Sequence, residues 1–118
     1  MLDDTNVIKQ RDVSGALDVA ATLYKQVSYD CQLVNATHDG REITSVIVAG
    51  MGGSALAADV AKVLLARDLT VPFEVVKGYE LPAYVGKNTL VIASSHSGST
   101  EETVTCMNEA LKRGCQMA

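Results

Sequence analysis

Apolar and polar residues follow different rhythms in successive stretches of this chain, and each rhythm predicts its own element. From Val13 to Val34 the apolar positions fall at Ala16, Ala20, Leu23, Val27, Cys31 and Val34. Steps of three and four residues line one face of a helix, so this stretch is expected to be an amphipathic helix entered through Asp12 or Ser14. The polar run from Asn35 to Arg41 reads as a loop. Ile43 to Ala49 is different again, a short β-branched run that stops at Gly50. That is the pattern of a strand buried on both faces of a parallel sheet.

Helical and extended rhythms then alternate. A helix is predicted from Ser54 to about Ala66 with Leu56, Val60, Val63 and Leu64 facing inward, followed by strands at Val71–Val76 and Thr89–Ala93 around a loop at Gly78–Lys87. Pro72 cannot donate to a ladder, which places the second strand at a sheet edge. In the last helix Ser99 and Glu102 have the spacing of a capping box, Val104, Met107 and Leu111 form the expected inner stripe, and Gly114 follows Lys112 and Arg113 as a stop. Cys115 to Ala118 falls where another strand should begin.

Strands alternating with helices imply right-handed βαβ units and strand order 2-1-3. The expected class is therefore α/β, a doubly wound parallel sheet. Residues 1–40 would be a helical lead-in, and residues 41–118 a sheet domain truncated after about three strands or completed by a partner.

Composition narrows the functional classes. The chain has 118 residues, 47% of them apolar, and a net charge of −4. Its Lys and Arg are scattered, which argues against a nucleic-acid partner. No apolar run approaches the ~18 residues of a membrane span, and the acidic start at Asp3-Asp4 is unlike a secretory signal. Cys31, Cys106 and Cys115 are odd in number and lack metal-site spacing, so reduced thiols in the cytoplasm are expected.

The candidate chemistry lies in two strand-to-helix loops. Gly50-Met51-Gly52-Gly53-Ser54 opens the second helix. Gly52 and Gly53 let the backbone approach an anion, the helix start offers free N–H groups, and Ser54 adds a hydroxyl. Ser94-Ser95-His96-Ser97-Gly98-Ser99-Thr100 opens the last helix with hydroxyls at Ser94, Ser95, Ser97, Ser99 and Thr100. Both loops leave the carboxyl ends of neighbouring strands, so they would converge on one crevice. With no Lys or Arg in either loop, the expected ligand is a phosphate held by hydroxyls and amides.

Rival readings meet specific obstacles. Gly50-x-Gly52-x-x-Ala55 fits a dinucleotide fingerprint, but the second strand ends in Val76-Lys77-Gly78 where that motif wants an acid. Neither Ser95 nor Ser97 has the flanking glycines of a hydrolase elbow. His96 has no second metal ligand at suitable spacing and reads as polar loop lining. Glu101 and Glu102 are ordinary helix-start carboxylates, with the capping box accounting for Glu102. His38 reads as a solvated loop residue.

At these loops the chain resembles the sugar isomerase (SIS) family, specifically its bifunctional phosphoglucose/phosphomannose isomerase branch. The stretches that carry the resemblance are Ala49-Gly50-Met51-Gly52-Gly53-Ser54-Ala55 and Ser95-His96-Ser97-Gly98-Ser99-Thr100-Glu101-Glu102-Thr103. The lead-in Asp12-Val13-Ser14-Gly15-Ala16-Leu17, Tyr79-Glu80-Leu81-Pro82-Ala83 and Leu90-Val91-Ile92-Ala93 extend it over nearly the whole chain. The resemblance implies a flavodoxin-like domain in which Ser54, Ser95, Ser97 and Thr100 bind the phosphate of glucose 6-phosphate or mannose 6-phosphate.

It also implies isomerisation to fructose 6-phosphate through an enediol, with neither metal nor cofactor, in an enzyme completed across a homodimer. The glutamate base and the ring-opening histidine of that family come from its second half, and nothing in residues 1–118 matches them. His96 and Ser99 stand where the branch often has an aromatic residue and asparagine, which makes His96 a possible substrate contact. A non-catalytic SIS module that senses a sugar phosphate is the alternative from another class.

Overall fold

The computed structural model describes residues 3–32, 34 and 38–118. The described residues fall into two units, one within residues 1–35 and one within residues 36–118. Of the expected polar loop, Asn35, Ala36 and Thr37 lie outside the described residues.

In the first unit the single helix expected from Val13 to Val34 is replaced by two short pieces, and a further short helix precedes them. Asp4 accepts hydrogen bonds from the amides of Asn6 and Val7 and starts α1, Thr5–Arg11. The carboxylate of Asp12 accepts from the amides of Ala16 and Leu17, both at 2.8 Å, and so starts α2, Ala16–Thr22, as the sequence suggests. Those N–H groups, Leu17 first, hold the Asp12 carboxyl below its ordinary range.

The helix then fails early. The Thr22 hydroxyl donates back to the carbonyls of Asp18 and Val19, the chain tightens into a 3-10 helix at Leu23–Ser28, and Tyr29 is extended. Such side-chain bonds offer the backbone an alternative to helical continuation. The expected inner stripe, including Leu23, Val27, Cys31 and Val34, is exposed.

The second unit is a four-stranded parallel sheet: β1 (Ser45–Gly50), β2 (Phe73–Val76), β3 (Thr89–Ser94) and β4 (Gln116–Met117), in the order β2-β1-β3-β4. The expected 2-1-3 order holds, with one further short strand at Gln116–Met117. β2 is an edge strand, and Pro72 sits just ahead of it with its carbonyl accepting from the Val46 amide. β1 is central and buried at every position.

Alternation along β1 separates two layers. Ile47 and Ala49 join Val76, Leu81, Val85, Val91, Cys106, Ala110 and Cys115 in the main core. Val46 and Val48 are buried outside that cluster, on the face where α3, Gly52–Leu64, contributes Ala55 and Ala58. Right-handed crossovers account for this, placing α3 on one face and α4, Glu101–Lys112, on the other.

Two helix faces differ from expectation. In α3 the buried residues are the small Ala55 and Ala58, while Leu56, Val60, Val63 and Leu64 are exposed, Leu56 at 61% and Val63 at 76%. Alanine lets the helix axis come close to the sheet, so the larger apolar residues turn away from it. In α4 the buried set is Thr103, Cys106 and Ala110, and Leu111 is exposed.

β2 and β3 are joined by residues 77–88 without a helix, and this loop is strapped along α4. The Cys106 thiol donates to the Gly78 carbonyl at 3.2 Å. The Leu81 amide donates to Glu109 at 3.2 Å. Arg113 donates to the carbonyls of Pro82 and Val85 at 2.7 and 3.2 Å. Cys106, Glu109 and Arg113 share one helical face by their spacing, so the loop takes the place that a crossover helix would fill.

Candidate functional site

The end of β1 and the end of β3 stand side by side, with Gly50 paired in register with Ser94. The two glycine- and hydroxyl-rich loops leave from these positions. They are tied together where the Ser94 hydroxyl donates to the Ser54 carbonyl at 3.3 Å. The convergence expected from strand order is therefore present in the structure.

In the first loop Met51 is the extended N-cap of α3, and Gly52 takes a left-handed φ of 52° as the helix begins. No side chain caps this helix. The amides of its first turn, Gly52, Gly53 and Ser54 among them, are thus the donors that an α-helix leaves without intrahelical partners.

The second loop gathers its hydroxyls. Ser95 Oγ lies 3.0 Å from Thr100 Oγ1, and Ser97 Oγ lies 3.4 Å from each of them. The Gly98 amide donates to Ser95 Oγ at 3.1 Å and the Ser99 amide to Ser97 Oγ at 3.3 Å. Oxygens that already accept from backbone amides keep their own protons available for an external acceptor. Ser95 and Ser97 are two such hydroxyls, and with Thr100 they form a neutral cluster at a helix start suited to an anion. His96 is exposed beside them. A cavity of about 150 Å³ is lined by Ser95 together with Ala93, Gly98, Thr103, Val104 and Met107.

The expected capping box does not form. Thr100 is the N-cap of α4, and its side chain makes no capping bond. The hydroxyl cluster accounts for the change, because Thr100 Oγ1 turns to Ser95 and Ser97 while the Ser99 hydroxyl donates to Ser97 at 3.4 Å. The first-turn amides of α4 are left without a side-chain cap, next to those of α3. Glu102 is left free of the role the sequence reading gave it.

Tyr79, in the loop after β2 and within a stretch that carries the family resemblance, is half exposed. The negative charge of Glu102, then partial desolvation and the charge of Glu101, push its phenol pKa above the ordinary value. At the end of β2, Lys77 is bound to Asp59 on α3 at 2.6 Å. A paired cation thus stands at the strand end where a dinucleotide fold would present its ribose-binding acid.

The model of the SIS domain matches residues 41–118 of this sequence. The chain belongs to the SIS domain family. A bifunctional phosphoglucose/phosphomannose isomerase from Caldicellulosiruptor bescii is 41% identical over 76 residues, covering 64% of this chain and 22% of that protein. An enzyme of the same name from Thermoplasma acidophilum is 34% identical over 96 residues, covering 81% of this chain and 28% of its own length.

Among solved structures, a Bacillus subtilis protein assigned as a phosphosugar isomerase superposes with a TM-score of 0.61 at 29% identity, over 66% of this chain and 25% of that one. The SIS chain described here thus spans about a quarter of the length of these relatives. The family match covers both loops in full.

Proposed function

We propose that this chain carries the phosphate-binding part of an isomerase that interconverts glucose 6-phosphate or mannose 6-phosphate with fructose 6-phosphate. The observation that carries the reading is the hydroxyl cluster of Ser95, Ser97 and Thr100, within 3.0–3.4 Å of one another at one uncapped helix start and tied to a second. The relatives named as phosphoglucose/phosphomannose isomerases supply the substrate class.

In this reading the phosphate accepts hydrogen bonds from Ser54, Ser95, Ser97 and Thr100 and from the amides of Gly52 and Gly53, and His96 touches the sugar. A neutral cage suits the task. The phosphate is chemically inert in an aldose–ketose exchange, and binding it holds the reacting carbons in place from a distance.

The glutamate that moves a proton between the first two carbons, and the histidine that opens the ring, belong to the length of an isomerase that this chain does not span. No metal or cofactor is needed for the enediol chemistry. The sequence division is kept here: a helical lead-in at 1–40 and part of a SIS domain at 41–118. The free thiols Cys31, Cys106 and Cys115 support a cytoplasmic setting. The apolar outer face of α3 supports a homodimer.

The test is calorimetric titration of fructose 6-phosphate, fructose and NAD into the wild type and a Ser95→Ala/Thr100→Ala double variant. Binding of the phosphorylated sugar alone, weakened at least tenfold in the variant, is the expected result. Binding of NAD that ignores the two substitutions would replace this reading with a dinucleotide site.

A further inference from the structure

The side that α3 turns away from the sheet carries Leu56, Val60, Val63 and Leu64, exposed at 61%, 53%, 76% and 69%. Their spacing puts them on one face of the helix. Four adjoining side chains exposed to that degree form a patch of roughly 300–600 Å², the size of the largest patch on a typical monomer. Two such patches laid together bury about 1,000 Å², the lower limit for a specific interface.

The patch matches its own copy turned end for end. Leu56 and Leu64 stand four residues either side of Val60. An antiparallel pair about a two-fold axis therefore sets Val60 against Val60 and each Leu56 against Leu64 of the other copy. Electrostatics favours that sense, because the positive end of each helix dipole then lies beside the negative end of the other. A parallel pair would bring like ends together.

The two ends of this face differ in their charge chemistry. At the amino end are the uncapped amides of Gly52, Gly53 and Ser54, in a loop that holds no Lys or Arg. Past the carboxyl end the chain keeps winding, with the Ala66 amide bonded to the Val63 carbonyl and those of Asp68 and Leu69 to the Leu65 carbonyl. Arg67 is exposed on this turn and forms no ion pair among the described residues. Gly53 and Arg67 lie seven residues either side of Val60, about 10 Å along the helix in each direction.

We propose that two copies of this chain dock through the outer faces of α3, antiparallel about Val60, and that Arg67 of each copy supplies the phosphate cage of the other with the cation it lacks. This rests on the phosphate-site reading above and deepens it. Without an anion, Arg67 meets the positive end of a helix dipole, which opposes it. A bound phosphate reverses that sign. Docking and phosphate binding are thereby coupled, and each strengthens the other by the same factor.

The experiment joins sedimentation velocity, with and without inorganic phosphate, to calorimetric titration of inorganic phosphate and fructose 6-phosphate. The proteins are the wild type, Val60→Asp, the milder Leu64→Ser, Arg67→Ala and the Val60→Asp/Arg67→Ala double variant. All three positions are exposed, and thermal melts confirm that each variant is folded. The wild type is expected to dimerise at micromolar concentration, and more tightly with phosphate. Val60→Asp should be monomeric, Leu64→Ser should dimerise more weakly, and Val60→Asp should bind both ligands roughly tenfold more weakly, the scale of a lost bond to a charged group.

Arg67→Ala should lose the same factor in binding, and its dimer should no longer respond to phosphate. The double variant should bind as Val60→Asp does, because Arg67 acts only across the interface. A wild type that stays monomeric with and without phosphate would overturn the proposal and give the face to another occupant. A dimer indifferent to Val60→Asp, or ligand binding indifferent to Arg67→Ala, would overturn it equally and leave the phosphate cage standing. Failure of the wild type to bind either ligand would instead bring down the proposed function, and the role of Arg67 with it.

Discussion

Gly50 and Ser94 meet where β1 and β3 end, so closely that a Cβ at position 50 would lie 2.9 Å from the Ser94 carbonyl oxygen. The obstacle is backbone, which cannot rotate away, so any side chain at position 50 must wedge the two loops apart. Gly50→Ala is therefore expected to cost about 1–3 kcal/mol of stability through overpacking and to weaken fructose 6-phosphate by disturbing the Ser94–Ser54 tie. Denaturant unfolding and ligand titration of the same variant check both effects. An alanine that leaves the unfolding midpoint unchanged would show that the strand ends yield more easily than this distance implies.

A second prediction concerns the opposite end of the same two strands. Ser45 and Thr89 are both buried, and their hydroxyls lie 2.9 Å apart. The Thr89 hydroxyl also accepts from the Gly86 amide at 3.2 Å. Thr89→Val keeps the shape but strands the Ser45 hydroxyl and the Gly86 amide, for about 1–3 kcal/mol. Ser45→Ala should cost less, because Thr89 keeps its amide donor. Unfolding curves that rank the two variants the other way would show that the pair is held mainly by packing.

Arg113 carries the third prediction. Its guanidinium donates to the carbonyls of Pro82 and Val85 and to Glu109, and so holds the loop between β2 and β3 against α4. Arg113→Ala leaves these partly buried carbonyls short of a donor, at about 2 kcal/mol in total. The loss should be local. Amide exchange should rise at Leu81 and Val85 before it rises in β1, and Arg113→Lys should restore only part of the protection, since one ammonium cannot span carbonyls that the fork reaches together.

Much of this architecture was legible from rhythm alone. The β-branched run at 43–49 closed by Gly50, and Pro72 ahead of the second strand, mark a parallel sheet with β1 inside it and β2 at its edge. The crowding of hydroxyls at 94–100 was legible for the same reason, since the motif is local. What the pattern does not contain is which of two apolar faces a helix turns inward. Leu56, Val60, Val63 and Leu64 are the greasier set in α3, yet Ala55 and Ala58 pack, because closeness to the sheet selects small residues.

The capping box failed for a related reason. Ser99 and Glu102 have the right spacing, but the hydroxyls around Ser97 compete for the same groups, and that competition exists only once the loop is folded. The bond from the Leu81 amide to Glu109 joins residues far apart in sequence. It becomes visible only when the 77–88 loop is laid along α4.

The strap on α4 also makes the fold sensitive to acid. The Glu109 carboxylate accepts the Leu81 amide at 3.2 Å and pairs with Arg113, and these contacts hold its pKa below the ordinary value of 4.5. A carboxyl depressed by folding contributes stability that is present above its unfolded pKa and is lost as the pH falls through the folded one. The wild type should therefore lose stability below about pH 4.5, beyond what Glu109→Gln loses over the same range. The glutamine cannot titrate, and its own oxygen still meets the Leu81 amide. Midpoints of urea unfolding at pH 6.5 and pH 3.5 for both proteins measure the difference. Parallel losses in the two would assign the acid sensitivity to other carboxylates, such as Asp39, which Arg41 and its amide hold down at a pKa of about 2.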